Sequence, residues 1–117
     1  MEMAEDVASQ IPLNVTGHSL GGAIATLFAS WYFYAHPEYK LKALVTFGAP
    51  KAVNKEAGTI NCSMHRYAVK GDFAPHWPPV PGLTHPSPAI WLSSRSWWHG
   101  VFKRHDAEGY VELTKEK

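Results

Sequence analysis

Apolar positions change their period several times along this chain. Ile11 to Thr16 is a short run rich in β-branched residues, which suits a strand, and Met1 to Gln10 before it reads as a short helix ended near Pro12. Leu20 to about Ala35, LGGAIATLFASWYFYA, predicts a helix that Pro37 stops. This helix is apolar nearly all round, so it is expected to be largely buried rather than to lie on a surface. Ala43 to Phe47 (ALVTF), ending in Gly48, and Met64 to Val69 (MHRYAV), ending in Gly71, predict two further strands. Between Gly71 and Pro88 the proline density excludes regular structure. Ala89 to Ser93 then predicts a fourth strand and Asp106 to Lys115 a closing helix. Strand, helix, strand in this order points to an α/β fold with a mostly parallel sheet, in which a buried helix follows the first strand.

Size and charge narrow the function classes. A chain of 117 residues forms one domain, 1–117. Its net charge of +1 arises from 11 basic and 10 acidic side chains with no run of either sign, so no nucleic acid partner is expected. The acidic start, MEMAEDVASQ, lacks the basic flank and apolar core of a secretory signal, and no stretch is long enough to span a membrane; these features predict a cytoplasmic protein. Cys62 is the single cysteine, cannot close an internal disulfide, and reads as a packing residue.

Candidate chemistry centres on GHSLG, residues Gly17 to Gly21, where a serine stands between glycines at a strand-to-helix junction. Such a turn forces Ser19 outward and strains its backbone, and it leaves no room for bulk two residues to either side, a demand that Gly17 and Gly21 meet. The helix beginning after Ser19 aims its positive end and the Leu20 N–H at the place where a negative oxygen would develop. Gly22 allows close helix packing. Read as a nucleophile, Ser19 needs a base and an orienting carboxylate; read as a small turn residue, it needs neither.

Asp72 suits the acid, because it follows a predicted strand and opens the stiff FAPHWPPVP loop; the bland alternative is a solvated turn aspartate. Seven histidines compete for the base: His18, His36, His65, His76, His85, His99 and His105. His18 sits on the elbow itself, His36 precedes the helix-ending proline and His65 lies inside a strand. His105 follows the acid in chain order, at the start of the last predicted helix, and is favoured; His85, in LTHPSP, is the runner-up. No histidine pair has the short spacing or cysteine partners of a zinc site, and neither metal nor cofactor is expected.

Four ordered blocks, VTGHSLGGAIATLFA, LVTFGAPKAVN, DFAPHWPPVPGLTH with AIW, and HDAEGY, together resemble the class 3 lipase family over about Leu13 to Leu113. The resemblance implies an α/β-hydrolase that cleaves acylglycerol esters, with Ser19 as nucleophile, Asp72 as acid and His105 as base. Pro75, Pro78, Pro79 and Tyr110 fall in register with the family's motifs, and His85 before Trp91 matches a second family histidine that neighbours the site. Where the family usually continues Pro-Arg-Val-Gly-Asn, this chain has Pro50, Lys51, Ala52, Val53 and Asn54.

The resemblance extends to the carboxyl-terminal half of the fold only. In these lipases a preceding half supplies further strands, a lid and the second oxyanion donor, and loss of one such donor costs about 10² to 10³ in turnover. A partial sheet is expected to expose an edge and to invite self-association. A catalytically weak or silent chain acting as an interaction module is therefore the competing function. Trp97, Trp98 and Phe102, beside Arg95, Lys103 and Arg104, suggest contact with a lipid interface, against the alternative that they cover the core.

Overall fold

The computed structural model describes residues 13–36, 38, 41–93, 110–111 and 114. Its elements are β1 (Asn14–His18), α1 (Leu20–Ala35), β2 (Ala43–Phe47), β3 (Ser63–Val69), a single 3-10 turn (Ala74–His76) and β4 (Ala89–Leu92). The four strands form one sheet in the order β1-β2-β3-β4, every neighbouring pair parallel. The register sets His18 opposite Phe47 and Phe47 opposite Tyr67, so β1 and β2 end level while β3 runs two residues further. All chemistry-bearing turns at those carboxyl ends therefore open on one edge of the sheet.

Helix α1 and strand β2 have the bounds their sequence patterns predict, and β3 and β4 differ by one residue each. Strand β1 continues to His18, beyond the β-branched run, because its pairing with β2 carries Gly17 and His18 along. In the proline-rich stretch the short turn Ala74–His76 forms around Pro75, and an antiparallel bridge joins Val53 to Thr84. Lys51 N–H donates to the Trp77 carbonyl and Thr84 N–H to the Val53 carbonyl, which stitches this loop to the β2–β3 connection. At the far end, Tyr110, Val111 and Thr114 are helical, within the predicted closing helix. The rest of that helix and the one expected over Met1 to Gln10 lie outside the described residues.

The expectation that α1 is largely buried is corrected. Its inner face consists mainly of small residues, Gly22, Ala23, Ala25, Thr26, Ala29 and Ser30, with Tyr32 as the large exception. Leu20, Ile24, Leu27 and Trp31 point outward, with relative exposures of 68%, 58%, 49% and 37%. All-round apolarity does not say which side faces the sheet; close approach does, and only the small side chains permit it. The large residues recur at spacings of four and three, so they form a continuous apolar stripe on the outer face.

The main core lies between α1 and the sheet: Ala25, Ala29, Tyr32, Leu41, Leu44 and Ile60, with Phe28, Met64 and half-buried Cys62 packed against them. Ser30 Oγ and Tyr34 Oη donate to the carbonyls of Ala57 and Glu56, tying the far end of α1 to the β2–β3 connection. A second cluster of Val69, Leu92 and Tyr110, with Phe47 and Tyr67, sits at the carboxyl end of the sheet, beneath the candidate site. Among the described residues no helix is long and apolar enough to cross a membrane, and no three His, Cys, Asp or Glu side chains gather as metal ligands.

Candidate active site

Ser19 is the single residue between the end of β1 and the start of α1. It has φ 56° and ψ −125°, the one non-glycine residue at positive φ among the described residues. A conformation of this kind costs about 1–3 kcal/mol and persists only where the surroundings over-determine it. They do so here from both sides. The Ser19 N–H donates to the Phe47 carbonyl at 2.9 Å, and the Ser19 carbonyl accepts from Gly22 N–H (2.9 Å) and Ala23 N–H (3.2 Å), which begin the helix. The Leu20 N–H precedes those first helical donors, at the positive end of the helix.

The tight approach behind the elbow is made by Gly17 and Gly22. A Cβ on Gly17 would run into the Gly21 carbonyl and lie 2.7 Å from Gly22 N, and one on Gly22 would lie 2.7 Å from Ala49 Cβ. Gly21 behaves differently from the expectation. A Cβ there meets nothing within 4 Å, so the steric demand falls one residue later, where α1 crosses the exit of β2.

Asp72 follows β3 and is 1% exposed, which removes the solvated-turn alternative. Its Oδ1 accepts from Ala74 N–H at 3.0 Å, and its Oδ2 from the Tyr110 hydroxyl at 2.7 Å. The same hydroxyl accepts from Val69 N–H at 3.0 Å. Burial, and then the bond to Asp72, push the Tyr110 phenol well above its usual range, so it remains a proton donor. Gly48, at φ +63°, is what makes room: a Cβ there would lie 2.8 Å from Tyr110 Oη and 2.9 Å from Asp72 Oδ2. The sequence marks Gly48 only as the end of a strand. Its steric role, and the bonds made by Tyr110, depend on contacts between distant segments that no local pattern encodes.

The histidines separate clearly. His18 packs its ring edge-on to Tyr110 at 5.9 Å, and His76 stacks on Trp91 at 5.8 Å. His36 packs on Trp31 and Tyr32 and approaches Glu38 at 3.5 Å, whereas His65 is an exposed position on β3. His85 bonds through Nε2 to the Pro75 carbonyl at 2.5 Å, within the loop that Asp72 opens. Burial lowers its pKa to about 4, so at neutral pH the ring is uncharged and Nε2 carries the donated proton. Arg66, also depressed by burial, to about 10, donates to the Ser87 carbonyl and anchors the approach to β4. His99 and His105, with Trp97, Trp98 and Phe102, lie outside the described residues.

The family model for class 3 lipases matches residues 2–82. This chain belongs to the class 3 lipase family. Among solved structures, the Rhizomucor miehei triacylglyceride lipase is 27% identical with a TM-score of 0.64, over 78% of this chain and 39% of that one. A triacylglycerol lipase whose catalytic centre is described as a serine protease triad is 26% identical with a TM-score of 0.63, over 77% and 37%. The LIP2 lipase of Yarrowia lipolytica, at 23% identity, shares the fold with a TM-score of 0.62, over 78% and 36%. The chain thus spans little more than a third of the lipases it matches, and its sheet is a partial α/β-hydrolase fold. No curated protein gives a significant sequence match.

One prediction follows from His85. Because its folded pKa of about 4 lies below the ordinary value of 6.5, the unfolded chain takes up the proton first as pH falls. Its contribution to stability is complete above the upper value and is lost progressively down to the lower one. Urea midpoints measured across that window should fall more steeply for the parent than for His85→Gln, which keeps an N–H donor for Pro75 but does not titrate.

Proposed function

We propose that this lipase-family chain acts as a serine carboxyl-ester hydrolase on acylglycerol-type lipids, through Ser19, Asp72 and His105. The observation that carries the reading is the pairing of a strained serine at the head of α1 with a buried, doubly hydrogen-bonded carboxylate two strands away. Two strand spacings of about 4.8 Å separate such groups by roughly 10 Å. An imidazole with a hydrogen bond of about 2.8 Å at either end covers roughly 8 Å of that distance between backbones, and the serine and aspartate side chains cover the remainder. Tyr110 is already on Asp72, and the five residues from His105 to Tyr110 reach at most about 17 Å, so the favoured base is tethered to the acid.

In this reading His105 removes the hydroxyl proton as Ser19 Oγ attacks the ester carbonyl carbon. The oxyanion of the tetrahedral intermediate takes a hydrogen bond from Leu20 N–H. Collapse breaks the bond to the alcohol, which leaves with the proton from His105, and an acyl-Ser19 ester remains. Water, deprotonated by His105, then releases the fatty acid and restores Ser19. Asp72 holds the imidazole in orientation and stabilises its charged form. His85, committed to Pro75 and uncharged, keeps the acid-bearing loop closed rather than moving protons.

A fluorophosphonate probe tests the nucleophile. Labelling is expected at Ser19 and to vanish in Ser19→Ala, with the modified peptide located by mass spectrometry; ester hydrolysis surviving in Ser19→Ala would end the assignment. Asp72→Asn should lower kcat by about 10⁴.

Trp97, Trp98 and Phe102 carry two readings, cover for the core, which the shortness of the run favours, and contact with a lipid interface. On the second reading liposome flotation should weaken in the Trp97→Ala, Trp98→Ala double variant, and unchanged flotation would remove that role.

The outer face of the molecule supports an interaction role as well. Strand β1 is an edge of the described sheet, and the stripe Leu20, Ile24, Leu27 and Trp31 runs along the adjoining helix. We assign both to contact with a second copy of this chain, because an edge strand and an apolar stripe, as they stand among the described residues, meet the same features on another copy about a twofold axis. Sedimentation should show a concentration-dependent dimer that Ile24→Lys with Leu27→Lys converts to monomer. A monomeric parent at all concentrations would exclude it.

A further inference from the structure

We propose that Tyr110 is the positioning residue of the acid: its hydroxyl fixes the orientation of the Asp72 carboxylate and ties it to the strand ends that carry the nucleophile. This rests on the reading of Asp72 as the acid.

A phenol has one proton, and here its direction is determined. Val69 N–H points at the Tyr110 oxygen, so that side of the hydroxyl can only accept, and the proton must go to Asp72 Oδ2. Ala74 N–H holds Oδ1. Among the described residues a donor sits on each oxygen, so rotation of the carboxylate about its Cβ–Cγ bond breaks both of these hydrogen bonds at once. Both donors also favour the ionised form, which a buried carboxyl would otherwise resist.

Tyr110 is 1% exposed and touches three strand ends. Its ring stands edge-on to His18, the residue before Ser19 at the end of β1, and to Phe47 at the end of β2. Its hydroxyl takes the last amide of β3 and the acid beyond it. The missing side chain of Gly48 is the space in which this hydroxyl and the carboxylate meet. A tyrosine serving only as core filler would need neither the glycine nor the paired bonds.

Tyr110→Phe keeps the ring and removes the hydroxyl. In the full chain, kcat for a short-chain p-nitrophenyl ester should fall about ten- to a hundredfold with KM unchanged, the range expected for one lost hydrogen bond to a charged group. In the Asp72→Asn background the same substitution should change kcat by less than about twofold, because a residue acting through Asp72 has nothing left to act on. A purely structural role would lower kcat in both backgrounds. Independently of activity, NMR hydrogen exchange should show the Ala74 amide losing about tenfold or more of its protection in Tyr110→Phe, as Oδ1 turns away, while Leu44 in the core keeps its own. Unchanged protection at Ala74 together with unchanged kcat would overturn the proposal and leave the acid assignment standing. An Asp72→Asn variant with full kcat would overturn the acid assignment, and the role of Tyr110 in orienting it.

Discussion

The strained turn at the head of α1 depends on one backbone hydrogen bond, from Ser19 N–H to the Phe47 carbonyl. Ser19 holds a conformation that an isolated serine avoids, and that bond, made to the last residue of the neighbouring strand, keeps the chain in it. The parallel register supplies the carbonyl at the right height, since His18 and Phe47 face each other. Gly17 and Gly22 then allow the helix to start within contact distance of Ala49. Strain at the serine is thus balanced by sheet pairing and close packing rather than by any feature of the turn alone.

Asp72 is secured differently. Asp72 lies in the most buried part of the carboxyl edge, where a carboxylate is stable only if its oxygens are hydrogen-bonded. One donor, Ala74 N–H, is local and comes with the turn; the other, the Tyr110 hydroxyl, comes from 38 residues away. The serine end of the site is therefore set by neighbouring strands, while the acid end is set by a residue from the far end of the chain. The two ends meet in the rings of His18, Phe47 and Tyr110.

Much of this was legible in the sequence because it is locally encoded. Helix α1 ends before Pro37, β2 ends at a glycine, and the Gly-x-Ser-x-Gly pentapeptide carries its own strand-turn-helix context. What could not be read was which neighbours each residue meets. Apolar residues all round α1 suggested burial on every side, yet its small residues take the sheet and its large ones face out. Gly17 and Gly22 are tight as the pattern implies, but Gly21 is not, and the partner that crowds Gly22, Ala49, comes from another segment. Family register places His85 near the site, and its bond to Pro75 adds what it does to the loop. In each case the deciding contact joins residues well separated along the chain.

The strand order has a consequence for how the molecule is built. Because β1, β2, β3 and β4 lie side by side in chain order, each new strand can pair with the one made just before it. The bend at Ser19 can be secured as soon as β2 exists. The Tyr110 donor to Asp72 comes later in the chain, so during synthesis the Ser19 turn can be in place before the carboxylate is locked. Fixing the Asp72 carboxylate is thus a later event than pairing β1 with β2, and the two can be separated in time.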